Sequence, residues 1–288
     1  MTLATHRFTT AVVFAAALLL VTTAAAQPPT SAPANTEPPD PVCDVLFRNY
    51  VCGGKVNSDD RAAAIQLVAS RGRNIGYWRK VLKTLREVEP PKETRCVQVL
   101  GKMLEVDGHG RRIIADAKRG KPYRGAWMGP YIVLDDCVVT ELMQRARKAT
   151  PHALEHYVRA IAGARDPRTR DFLLEIISRG DEDLFTRSGC RPGTRLLAAV
   201  GLAQLDEPAG IDWLIEHCEN KQLLFGWAAP PRPSEQQLGP ACVRALRDIT
   251  GEYKGDLSTK AAWQAWRERT REDAQPSDTD DNEPDPTP

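Results

Sequence analysis

Five residues, His152-Ala153-Leu154-Glu155-His156, carry the most specific chemical pattern in this sequence. Two histidines four apart leave one face of a helix together and can share a zinc ion, with Glu155 as general base. The order H-x-x-E-H is the inverted zincin pattern. A zinc hydrolase needs a third protein ligand from another element, and no residue in the sequence singles itself out. Pro151 places His152 in the first helical turn. A helix that buries Leu154 and carries both histidines at its polar margin accounts for the same residues with no cofactor. His109 lies between Gly108 and Gly110 and reads as a turn residue. His217 beside Cys218 has no standard metal spacing.

The seven cysteines are Cys43, Cys52, Cys96, Cys137, Cys190, Cys218 and Cys242. None forms a C-x-x-C pair, so neither a zinc ribbon nor a thioredoxin-type site is indicated. In an oxidising compartment the expectation is disulfides. Cys43, Cys52, Cys96, Cys137, Cys190 and Cys242 are the candidates, and Cys43 and Cys52 are close enough to staple the start of the domain. An odd count leaves one thiol over. Cys218 and Cys242 both hold apolar helical positions, so either could be that buried thiol. Ser188-Gly189-Cys190 fits no nucleophile elbow.

Basic residues cluster at Arg111-Arg112 and at Arg165, Arg168 and Arg170, the latter flanking a turn. Such clusters can hold an anionic polymer, a lipid head group or an acidic protein tail, or simply be solvated. The formal net charge of +1 hides an asymmetry. Residues 43–271 hold all but one of the 39 Lys and Arg, and 29 of the 38 Asp and Glu. The body is therefore near +9, and the last 17 residues carry seven acidic groups and no basic one.

The ends set the compartment. Arg7, an apolar run from Ala11 to Val21 and Ala24-Ala25-Ala26 are the three parts of a signal peptide, expected over 1–26. The run is short for a membrane span. Residues 27–42 are a proline-rich linker, and 272–288 an acidic disordered tail. The mature chain is expected to be exported, periplasmic or extracellular, with no integral membrane segment. That compartment disfavours nucleic acid as a partner.

Residues 43–271 read as helices joined by short turns, an all-α domain. The clearest stretch is 150–220. Thr150-Pro151 is an N-cap followed by proline at the first helical position. Leu154, Tyr157, Val158 and Ile161 then share one helical face. Leu196, Ala199, Val200 and Ala203 repeat that face. Asp166-Pro167 and Asp206-Glu207-Pro208 mark turns, and Asp171-Phe172-Leu173 aligns with Asp212-Trp213-Leu214 at an offset of 41. A period near 40, each unit a helix, a turn and a second helix, predicts stacked hairpins. Residues 235–271 form a degenerate third repeat, capped by a helix with Trp263 and Trp266 facing inward. Upstream, helices are expected over 59–69, 75–88, 95–106 and 131–148.

Leu196 to Pro208, followed by Ile211-Asp212-Trp213-Leu214-Ile215, resembles a HEAT-like repeat of the phycobilisome-lyase type. The resemblance implies a right-handed α-solenoid of HEAT-like helical hairpins, and no lyase chemistry. It leads to the expectation of a non-enzymatic extracytoplasmic scaffold that binds a partner protein or an anionic envelope polymer, without a cofactor. The alternative is a zinc-dependent hydrolase built on His152, Glu155 and His156.

Overall fold

The computed structural model describes residues 40–118, 136–179, 190–224, 237–253 and 256–273. The expected signal peptide, nearly all of the linker and all but the first two residues of the acidic tail lie outside them. The described chain is mostly helical, as expected. The helices are α1 (Pro41–Val45), α2 (Ser58–Asn74), α3 (Trp78–Glu87), α4 (Lys92–Lys118), α5 (Asp136–Ala146) and α6 (Pro151–Gly163), then α7 (Arg170–Ser178), α8 (Pro192–Gln204), α9 (Pro208–Glu216), α10 (Leu238–Thr250) and α11 (Lys260–Asp273). A π-helical turn, Leu46–Val51, continues α1. The chain divides at Asp166 and Pro167 into two compact units. Among the described residues no helix is long and apolar enough to cross a membrane.

In the first unit the helices start where capping chemistry places them. Asp40 accepts from the Val42 and Cys43 amides at 2.9 and 3.1 Å, so the last linker residues already belong to α1. Asn57 caps α2 through the Asp60 amide at 2.8 Å, and Asp59 and Asp60 complement the helix dipole. Gly76, at φ 72°, ends that helix. Helix α3 therefore begins at Trp78 rather than at Ile75, and it buries Trp78, Val81, Leu82 and Leu85.

Helix α4 departs most from expectation. It runs 27 residues and carries Gly108 and His109 in its interior, where the sequence suggested a turn. The reason is tertiary. A Cβ at Gly108 would lie 2.0 Å from the Gly163 carbonyl oxygen, and one at Gly101 would lie 2.9 Å from Ala160 Cβ. These glycines cost helix propensity, but they let α4 and α6 pack backbone to backbone. Between α2 and α4, Arg73 Nε and Nη2 reach Asp107 Oδ1 at 2.8 and 2.6 Å, with both side chains almost wholly buried.

In the second unit α7 packs on α8, α8 on α9, and α10 on both α8 and α9. Its core holds Leu214, Ile215, Cys218, Leu238, Cys242, Leu246 and Trp263. Trp263 meets Trp266 edge to face at 5.5 Å, so the two tryptophans face inward as expected. A Cβ at Gly210 would come within 2.4 Å of the Ala203 nitrogen and 2.5 Å of the Ala199 oxygen, which brings α9 tight against α8.

The period of 41 is visible in the element boundaries. Helices α6 and α8 each span 13 residues, from Pro151 to Gly163 and from Pro192 to Gln204. Among the described residues, the non-glycine positions with positive φ are Arg165 (47°) and Asp206 (61°), also 41 apart. Their amides donate to Ala162 and Ala203, each at 3.2 Å. The unit boundary falls inside the first of these repeats, between α6 and α7.

Leu214 is fully buried. Truncation to alanine should cost about 2–5 kcal/mol, and Gly210→Ala, which drives a methyl into backbone, about 1–3 kcal/mol. Arg168→Ala, at an exposed position, should change stability by less than about 0.5 kcal/mol. Asp107→Ala would leave Arg73 charged and buried and should cost about 3–5 kcal/mol. Denaturant unfolding of each variant checks these values.

Candidate functional site

The H-x-x-E-H residues lie on α6, and each is engaged locally. Thr150 caps the helix by accepting from the Ala153 amide at 3.5 Å. Leu154 is buried, as is Tyr157, whose hydroxyl donates to Glu93 on α4. The two imidazoles meet edge to face at 5.6 Å. Glu155 is paired with Arg159 at 3.3 Å. Gln98 Nε2 and His156 Nδ1 lie 3.3 Å apart. This contact engages Nδ1, and whether Nδ1 donates or accepts in it follows the tautomer. Among the described residues no group of three or more His, Cys, Asp or Glu converges on a metal position.

The turn arginines serve the fold first. Arg165 holds the left-handed turn position after α6. Arg170 pairs with Glu207 and, at 3.0 Å, with Asp171. It thereby ties the start of α7 to the turn before α9. Arg168 is exposed. Arg111 and Arg112 fall within α4, and their side chains lie outside the described residues.

None of the seven cysteines is disulfide-bonded in this structure. The expected staple between Cys43 and Cys52 is not formed. Cys43 is buried beside Asp40 and Arg71, and burial first, then Asp40, pushes its thiol up to about 12. Cys52 instead meets Cys96. Cys218 and Cys242 lie in the core of the second unit, and burial pushes Cys242 up to about 12. Cys137 is exposed on α5, and Cys190 is buried just before α8.

A shallow groove of about 730 Å³ opens in the second unit. Asp171, Leu174, Glu175, Ile177 and Ser178 of α7 line it together with Trp213 of α9. Trp213 is half-buried and stacks on His217 at 4.0 Å and 16°. The Arg195 guanidinium stands 5.9 Å from the Trp213 ring centre. The indole is thus fixed on two sides. Ser178 donates to the Glu175 carbonyl at 2.8 Å, so its hydroxyl is committed to the helix. Sequence reasoning noticed Trp213 only as a repeat marker. The alignment of Phe172 with Trp213 held the signal, because Phe172 is buried while Trp213 keeps an open edge.

Comparison with protein-family models, with curated proteins and with solved structures finds no match to this chain.

Burial lowers the pKa of His156, with His152 and Arg159 adding and Glu155 opposing. The folded state therefore resists the proton that the unfolded chain takes up as pH falls through about 6.5. This contribution is absent above that pH, grows as pH falls below it, and stays constant once the folded value is passed. His156→Gln should remove the loss. Denaturant titrations of both proteins from neutral to mildly acidic pH will show it as a stability difference that narrows on acidification.

Proposed function

We propose that this chain is a non-enzymatic interaction protein working outside the cytoplasm, built as a right-handed α-solenoid of HEAT-like helical hairpins. The recurrence of helix ends and turn conformation at 41 residues supports the repeat. The three-part leader pattern over 1–26 supports export. The observation that carries the function is the groove between α7 and α9. It joins a fixed indole and two aliphatic side chains to Asp171 and Glu175, whose carboxylates are paired with Arg170 and Arg179. Such a surface suits a protein segment that seats an apolar anchor against the indole, with polar groups at the rim. An anionic envelope polymer would find both signs of charge already paired there. The arginines that would attract such a polymer are partly occupied, since Arg170 is held by Glu207 and Asp171.

The test is retention of partners from the exported fraction by the immobilised full chain. Trp213→Ala and Asp171→Lys should each weaken retention at least about tenfold, or about 1.4 kcal/mol. Arg168→Ala should leave it unchanged. Equal retention by the Trp213 variant would remove the groove from the reading. Stoichiometric zinc in the purified protein, lost in His152→Ala, would replace the reading with the hydrolase.

A further inference from the structure

Cys52 and Cys96 are 44 positions apart in sequence, yet their thiols are near enough to perturb one another. Cys52 follows the π-helical turn Leu46–Val51, and its amide donates to Phe47 O at 2.8 Å. Gly53 must follow, because a Cβ there would sit 1.9 Å from Asn49 O. Arg95, the residue before Cys96, reaches across from α4. Its Nη1 donates to the carbonyls of Val51 and Gly53 at 3.2 and 3.1 Å. Arg61 adds a bond to Gly53 O at 3.3 Å. The backbone on both sides of Cys52 is therefore clamped to the helix that carries Cys96. The two thiols are held together by neighbours rather than by each other.

The two sulfurs differ in access. Cys96 is fully buried. Cys52 lines a cavity of about 300 Å³ with Phe47, Tyr77, Arg48, Lys80 and Lys92. Asp44 neutralises Lys80 there, whereas Arg48 and Lys92 leave the mouth cationic. The Cys96 thiol donates to Cys52, which with Lys92 and Arg95 holds the Cys52 thiol down at about 7 against burial. The same contact and burial raise Cys96. An accessible thiolate with a protonated thiol behind it is the arrangement of an attacking and a resolving cysteine.

We propose that Cys52 and Cys96 form a thiol–disulfide exchange site that accepts small anionic disulfides at this cavity and closes to an intramolecular Cys52–Cys96 disulfide. The Cys52 thiolate attacks one sulfur of the external disulfide, and the S–S bond breaks to release one thiolate. Cys96 then attacks Cys52 Sγ, and the second thiolate is expelled and takes up the Cys96 proton. The two cysteines are oxidised by two electrons, and the external disulfide is reduced to two thiols. Arg48 and Lys92 favour a disulfide bearing carboxylates. This inference is independent of the groove and its partner.

The test treats the reduced full chain with glutathione disulfide under native conditions, followed by peptide mapping without reductant. The wild-type chain should lose two thiols, recovered as a Cys52–Cys96 peptide pair. Cys96→Ser should stop at one glutathionyl group on Cys52. Cys52→Ser should leave Cys96 unmodified. Cystamine, a cationic disulfide, should react several-fold more slowly than glutathione disulfide with Cys96→Ser, and Lys92→Ala should narrow that ratio. Circular dichroism of each variant checks that it is folded, and a Cys43→Ser chain, which keeps both thiols, should still close the same pair. A disulfide from Cys52 to Cys43, a Cys96→Ser chain free of adduct at Cys52, or equal rates for the two disulfides would overturn the proposal.

Discussion

The helices of each unit approach as closely as they do because glycine stands where they cross. On α4, Gly101 and Gly108 face Ala160 and Gly163 of α6, and a methyl at Gly108 would overlap a carbonyl oxygen. On α9, Gly210 sits against the backbone of α8 at Ala199 and Ala203. With glycine at the crossing, the two helix backbones meet without a side chain of that position between them. Everything outward of the crossing inherits that spacing. Buried leucines and valines on the flanks meet directly, and polar side chains can span the gap. The Tyr157 hydroxyl reaches Glu93, and Gln98 reaches His156, because α4 and α6 are this near.

Buried charge then fixes what close packing leaves free. Apolar surfaces are forgiving in register, since one leucine resembles another. Arg73 and Asp107 are not interchangeable, and their contact is satisfied only when α2 and α4 are correctly placed. Removing both charges for apolar residues of similar size could be nearly neutral for stability. Removing one leaves the other charge buried without this partner. The pair thus sets register more than it adds strength. Arg95 works similarly on a smaller scale, holding the carbonyls on either side of Cys52 to α4.

The helix starts and turns around residues 150–208 were legible in the sequence because their signals are local. Pro151 and Pro192 start helices, and Asp-Pro turns end them, through backbone geometry that needs no distant partner. Leu173 and Leu214, Trp263 and the faces of α3 and α10 also lie inward as their spacing demands. What was not legible is long-range. Gly108, His109 and Gly110 look like a turn until Gly163 is brought beside them. Cys43 and Cys52 look like a pair because only their sequence distance is visible. The winding of α1 into the π-helical turn instead leaves Cys43 among Asp40 and Arg71, and Cys52 toward Cys96. The groove was missed for the same reason, since α7 and α9 are separated in sequence by all of α8.

Chemical character in this chain follows placement rather than residue type. Seven thiols share one intrinsic reactivity, yet burial drives Cys43 and Cys242 toward the protonated, inert form. Cys52 differs because its neighbours include a hydrogen-bond donor and cations, each of which stabilises the thiolate. The histidines divide in the same way. Burial pushes the His156 pKa down, while His152, one turn earlier, stays exposed. Trp213 keeps an open edge where its repeat counterpart Phe172 is buried, and that difference alone turns a core position into one side of a groove. Positions 41 apart share a helix face, and the groove opens where one of them is left less covered than the other.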